Sequence, residues 1–123
     1  MKARVLIVDD ERATREGLRQ LLVNAGYEAS AAASFQEALH ALEMFRPDLL
    51  IVDVRLGEYN GLQLVIASER KIPSIVLTGY ADAVIEGDAR HEGAEYLVKP
   101  VAPSRLLEVV AEMLPYTPGQ THQ

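Results

Sequence analysis

A chain of 123 residues with 49% apolar content has the length and the apolar material of one globular domain with a real core. Twelve Lys and Arg against 18 Asp and Glu leave a net charge of −6, which gives no electrostatic footprint for nucleic acid or an anionic membrane, and the lack of cysteine excludes disulfides, thiolate metal sites and cysteine nucleophiles. No apolar run nears the ~18 residues of a membrane span and the N-terminus carries no apolar leader run, so the expected address is the cytoplasm.

In chain order, short apolar runs alternate with helical patterns five times. Val5 to Val8 reads as the first strand, and Leu18, Leu21, Leu22 and Ala25 follow the spacing of a helix that Gly26 can end. Tyr27 to Ala31 is a weaker strand. Phe35, Ala38, Leu39, Leu42 and Phe45 mark the second helix, with Ser34 and Glu37 as a capping box and Pro47 beyond its end. Leu49 to Val52 is the third strand, and Leu62, Val65 and Ile66 support a short third helix before Pro73. Ser74 to Leu77 follows as a strand. The segment from Asp82 to Glu92 is expected to be the loosest helix, because Gly87 inside it costs roughly 1 kcal/mol relative to alanine. Tyr96 to Val98 and a helix through Leu106, Val109, Val110 and Met113, with Pro103 in its first turn, complete the pattern. From residue 116 to 123 the composition turns to that of a flexible tail or the start of a linker, which leaves 1–115 as the domain.

Five βα units with nearly continuous apolar strands predict an α/β fold, a doubly wound five-stranded parallel sheet covered by five helices. For the strand order we adopt 2-1-3-4-5, a common order for such sheets that this sequence does not itself dictate.

Ligands of such sheets sit beyond the carboxyl ends of the strands. Strand 1 there runs into Asp9 and Asp10, strand 3 into Asp53, strand 4 into Thr78, and strand 5 into Lys99 and Pro100. Neighbouring carboxylates ~4 Å apart repel by about 4 kcal/mol at an effective dielectric near 20, and a bound cation relieves that. Oxygen donors without His or Cys favour a hard ion, and Mg²⁺ leaves room for a phosphoryl group. An aspartate beside it can attack phosphorus, while Lys99 balances the phosphoryl oxygens and Thr78 donates a hydrogen bond.

The runs "VLIVDDE", "LLIVDVRL", "IVLTGYAD" and "YLVKP" together resemble the receiver domain of two-component response regulators, from about Arg4 to Leu114. The resemblance implies a flavodoxin-like fold and a phospho-acceptor at Asp53, charged by a histidine kinase or a histidine phosphotransfer protein. It implies Mg²⁺ held by Asp10 and Asp53 and the backbone carbonyl of Arg55, with Asp9 acting mainly through water. Thr78 and Tyr96 are the implied switch pair, which remodels the face of helix 4, strand 5 and helix 5 toward a partner or effector domain. A cis Lys99-Pro100 peptide is also implied. On this reading the chain is no enzyme beyond its own phosphorylation and dephosphorylation, and Arg55 and Tyr80 are expected to shield the acyl phosphate from water. Whether the phosphorylated form dimerises is left open.

The sequence also departs from that pattern. Gly57 stands where proline is usual, which is expected to loosen the loop after the acceptor; the span from Asp53 to Thr78 is short, and Val101 replaces a common aromatic residue. Plainer readings exist for the single residues: Asp9 and Asp10 as caps of helix 1, Lys99 as a surface lysine, Tyr96 as packing, His40 and His91 as solvated helix residues. A pseudo-receiver that binds partners without phosphate is the main rival, opposed by the intact set Asp9, Asp10, Asp53, Thr78 and Lys99. A Mg²⁺-dependent phosphatase is opposed by "DVR", which lacks a second acid two residues after the nucleophile. No G-x-G-x-x-G or P-loop is present.

Overall fold

Runs such as Val5-Leu6-Ile7-Val8 and Leu49-Leu50-Ile51-Val52 have no polar face to offer water, and a computed structural model places them at the centre of a parallel sheet. The structure describes residues 2–68 and 71–114; the expected tail over 116–123 lies outside them. The elements are β1 (Arg4–Val8), α1 (Arg12–Asn24), β2 (Glu28–Ala32), α2 (Phe35–Met44), β3 (Leu49–Asp53), α3 (Gly61–Ala67), β4 (Ser74–Thr78), α4 (Ala83–His91), β5 (Glu95–Val98) and α5 (Pro103–Met113). All pairings in this five-stranded sheet are parallel, and its order is 2-1-3-4-5, the common order adopted above. Two short segments between β3 and α3, Arg55–Leu56 and Tyr59–Asn60, add an antiparallel ribbon.

Alternation along the strands divides the core between the two faces. Val5, Ile7, Leu49, Ile51, Ile75 and Leu77 pack with Leu22 of α1 and with Leu106, Val109 and Val110 of α5. Leu6, Val8, Leu50, Val52 and Val76 pack on the other face with Ala38 of α2, Leu62 and Leu64 of α3 and Ala89 of α4. Each such Leu, Ile or Val contributes roughly 1.5–3 kcal/mol by leaving water.

The helix ends follow local chemistry. Gly26, at φ +99°, turns the chain out of α1 in a conformation that residues with a Cβ avoid. Ser34 Oγ accepts from Glu37 N–H at 3.1 Å; the Glu37 carboxylate reaches back one residue beyond the cap, to Ala33 N–H at 3.0 Å. Asp82 caps α4 by accepting from the N–H groups of Val84 and Ile85 at 2.9 and 3.2 Å. In α3 the inward set differs from the expected one: Leu62 and Leu64 are buried, Val65 is half-buried, and Ile66 is 56% exposed. His40 and His91 are both exposed.

Candidate functional site

Parallel strands all deliver their carboxyl ends to one edge of the sheet, so residues distant in sequence meet there. Lys99, just past β5, directs its ammonium between two carboxylates: Nζ lies 2.5 Å from Asp53 Oδ2 and 3.3 Å from Asp9 Oδ2. The Lys99–Pro100 peptide is cis, and Lys99 N–H donates to the Thr78 carbonyl at 2.7 Å.

Asp9 is buried, with 2% of its surface exposed. That burial holds its pKa above the usual aspartate value; the Glu11 N–H and the Lys99 charge pull it down, the Asp53 charge pushes it up, and burial prevails. For Lys99, burial alone would lower the pKa, but Asp53 and Asp9 outweigh it and raise the ammonium above the ordinary lysine value. The capping reading of Asp9 does not hold: Glu11 is the N-cap of α1 and no side chain caps it, while Asp9 Oδ1 accepts from Glu11 N–H at 2.8 Å ahead of the helix. Arg15 secures the Asp9 carbonyl at 2.8 Å. Glu11, the third acid of the run, points away and takes the Thr14 hydroxyl.

The ribbon after Asp53 supplies backbone donors. Arg55 N–H donates to Asp53 Oδ1 at 2.8 Å, and Gly57 N–H donates to Asp10 Oδ2 at 3.3 Å. Gly57 sits at φ +59° in the two-residue turn between Leu56 and Tyr59. Primed hairpin turns require positive φ at that position, which proline cannot adopt, and proline has no N–H to give Asp10. The glycine that departs from the usual pattern is thus the residue this turn demands, and the segment forms a regular ribbon where a loosened loop was expected.

Thr78 and Tyr96 meet at one backbone atom. The Tyr80 carbonyl accepts from Thr78 Oγ1 at 3.1 Å and from Tyr96 OH at 3.3 Å. Tyr96 OH in turn accepts from Asp82 N–H at 3.0 Å, which places the buried phenol under the start of α4. The Tyr80 ring is 66% exposed and lies under the Arg55 guanidinium at 4.7 Å.

Of the residues singled out from sequence, Asp9, Asp53 and Lys99 are in direct contact, Asp10 is joined to the same ribbon as Asp53, and Thr78, Tyr80 and Tyr96 form a second, linked group. Among the described residues, no three acidic or imidazole side chains stand assembled as a ready metal cage. The donor types nevertheless suit an oxygen-seeking divalent cation: Asp9 and Asp53 share the Lys99 ammonium, Asp10 is held by Gly57 N–H on the neighbouring ribbon, and there is no sulfur or imidazole among them. Gly61 was not marked by any sequence signal. A Cβ there would lie 2.0 Å from the Asp53 carbonyl oxygen, so β3 and the start of α3 approach as only glycine allows.

Known proteins with this pattern are numerous. A transcriptional regulatory protein, PdtaR, of Mycobacterium tuberculosis is 39% identical over 111 residues, covering 87% of this chain and 54% of its own length. The chain therefore spans about half of that relative. An uncharacterised 14.6 kDa protein of Leptolyngbya boryana is 35% identical and is covered over 87% of its length. Among solved structures, a CheY-like receiver domain protein of Methanospirillum hungatei superimposes with a TM-score of 0.88 at 33% identity, covering 94% of this chain and 95% of that one. Chemotaxis protein CheY4 of Vibrio cholerae gives 0.84 at 30% identity, over 93% of this chain and all of its own. The response regulator receiver domain matches residues 5–111, the span that holds every strand-end residue described above, and the chain belongs to that family.

Proposed function

We infer that Asp53 is the phospho-acceptor of a two-component signalling switch and that Asp9, Asp10, Thr78, Tyr96 and Lys99 serve that one event. The contact of Lys99 Nζ with Asp53 Oδ2 at 2.5 Å carries the reading. A surface lysine has no reason to abandon water for a half-buried aspartate; a lysine that must neutralise phosphoryl oxygens on that aspartate does.

In the reaction a carboxylate oxygen of Asp53 attacks phosphorus and forms an acyl phosphate. The bond between phosphorus and the donor atom breaks, and its electron pair leaves with the donor, a phosphohistidine side chain of a kinase or phosphotransfer protein. Asp9, Asp10, Asp53 and the backbone carbonyl of Arg55 are the groups that would hold Mg²⁺, which when bound offsets negative charge on the incoming phosphoryl group. Arg55 N–H orients Asp53 through Oδ1, leaving the other oxygen for phosphorus. Lys99 then shifts from the carboxylate to the new phosphoryl oxygens.

Thr78 hands on the signal. When its hydroxyl turns from the Tyr80 carbonyl to a phosphoryl oxygen, that carbonyl keeps Tyr96 as its hydroxyl donor, and the loop into α4 settles in a second arrangement. The face of α4, β5 and α5 is the output surface, read by a partner or an effector domain. Residues 1–115 are the receiver unit. We place it in the cytoplasm; no helix among the described residues is long and apolar enough to cross a membrane. Arg55 and the Tyr80 ring, stacked beside the acceptor, limit the approach of water to the acyl phosphate.

Incubation with Mg²⁺ and acetyl phosphate, followed by intact-mass measurement, tests this reading. The wild type gains one phosphoryl group and Asp53→Asn gains none. A wild type that stays unmodified, or a variant modified as fast, overturns it.

A further inference from the structure

Asp53 and Asp10 are both oriented by N–H groups of a ribbon that has only two paired rungs, Arg55 with Asn60 and Leu56 with Tyr59. Two such rungs are not stable by themselves in water. Leu56 anchors the ribbon from below, with 3% exposure. Above it, Tyr59 stacks on Phe35 with ring centroids 4.5 Å apart and planes 15° from parallel, and its hydroxyl accepts from Gln36 Nε2 at 3.2 Å. Phe35 opens α2 and packs on the core, so the Tyr59 ring ties the ribbon to a rigid element. The ring itself touches neither carboxylate.

The geometry points to Tyr59 as a positioning residue for the acceptor site: its stack on Phe35 holds the ribbon so that Arg55 N–H and Gly57 N–H stay aimed at Asp53 and Asp10. This rests on the proposed role of those carboxylates. A tyrosine 39% exposed adds little to the core, and the aromatic pair gives its exposure a purpose. Glycine at position 57 removes the stiffness of a proline, and the stack restores rigidity two residues later without removing the N–H that Asp10 accepts.

The test compares Tyr59→Ala with Tyr59→Phe, which keeps the ring. In Mg²⁺-free protein, amide exchange at Arg55 and Gly57 is measured by NMR, with Leu50 and Ile51 of β3 as internal controls. Tyr59→Ala speeds exchange at both ribbon amides by about three- to tenfold, the range a lost aromatic pair allows, and leaves β3 unchanged. The Kd for Mg²⁺, read from amide shifts, rises by a similar factor, and phosphorylation by acetyl phosphate slows. Tyr59→Phe stays within about twofold of wild type on all three readouts, since the stack survives. Unchanged exchange and Mg²⁺ affinity in Tyr59→Ala, or a Tyr59→Phe as impaired as the alanine variant, overturns the proposal. Exchange needs no phosphoryl chemistry, so a wild type that cannot be phosphorylated refutes the function while this result stands apart.

Discussion

Replacing Gly61 with alanine puts a methyl carbon 2.0 Å from the carbonyl oxygen of Asp53 and 2.8 Å from Val52 Cγ2. Even the tightest tolerated contact is near 3.0 Å, so the strand end and the first turn of α3 must separate by about 1 Å. Neither side yields readily. Gly61 N–H is bonded to the Val54 carbonyl at 2.7 Å, and Asp53 closes β3 in register with β4. Overpacking a core typically costs about 1–3 kcal/mol, and a clash with backbone belongs at the upper end. For a domain of this size ~3 kcal/mol corresponds to a drop in Tm of about 12 °C. The displaced residue is Asp53, the proposed acceptor, and a misplacement of about 1 Å can slow a reaction roughly tenfold to a hundredfold. Thermal denaturation by circular dichroism and intact-mass kinetics with acetyl phosphate measure the two effects. A Gly61→Ala protein that melts within about 4 °C of wild type and is phosphorylated at the normal rate would refute the argument that this approach is forced.

Gly87 provides the contrast, because a Cβ there meets open space inside α4; Gly87→Ala is expected to raise Tm by about 2–4 °C, and a fall would show that α4 needs that glycine. Lys99→Met leaves the carboxylates of Asp9 and Asp53 without a counter-charge and is expected to cost ~2 kcal/mol, below the range for fully buried pairs because Lys99 is partly exposed. Part of that loss returns in ~0.5 M NaCl as repulsion is screened, so a salt-independent melt would rule out charge as the cause. Gly57→Pro, which restores the more usual residue, is expected to destabilise by about 1–2 kcal/mol and to weaken Mg²⁺ binding, since φ +59° and the N–H to Asp10 are both lost; calorimetry showing equal or tighter binding would contradict this. Burial holds the Tyr27 phenol above its ordinary pKa of 10.0. The unfolded chain therefore ionises first, and stability falls as pH rises from that value toward the folded one; Tyr27→Phe removes this decline, which urea titrations on either side of pH 10 would reveal.

The legible parts of the chain are those where one residue type has one physical use. Four consecutive apolar residues in β1 and β3, and three in β4, can only be buried on both faces, and Ser34 before the apolar set of α2 caps that helix as its chemistry requires. β2 reads Glu-Ala-Ser-Ala-Ala at the sheet edge, half-buried and without bulk, and is recognisable as a strand chiefly from the rhythm of its neighbours. Asp53 and Lys99, 46 residues apart, stood out because each follows a buried run, although nothing local says that they touch. The ribbon stayed hidden, since two-residue strands carry no period. So did the Tyr80 carbonyl and Gly61: the first acts through a backbone oxygen and the second through the absence of a side chain, and neither leaves a mark in residue identity.

The same distinction explains why a departure from the usual pattern need not weaken the site. Proline after an acceptor stiffens the chain by fixing φ, but it brings no N–H and cannot enter a turn at positive φ. Glycine reverses both properties and gives up backbone order worth roughly 0.5–1 kcal/mol. An aromatic stack worth about 0.5–1.5 kcal/mol is of the right size to offset that, and Tyr59 on Phe35 is the stack in place. Besides the Gly61 N–H bond to the Val54 carbonyl and the Asn60 cap on α3, packing holds the ribbon at three points: Leu56 in the core, Tyr59 against α2, and Arg55 over the Tyr80 ring. The third point joins the acceptor loop to the residue whose carbonyl Thr78 and Tyr96 share. A shift of the ribbon on phosphorylation would therefore reach the start of α4 by two routes, through the Thr78 hydroxyl and through the guanidinium on Tyr80. Because both routes end on Tyr80, they act on one loop and reinforce a single change at the start of α4.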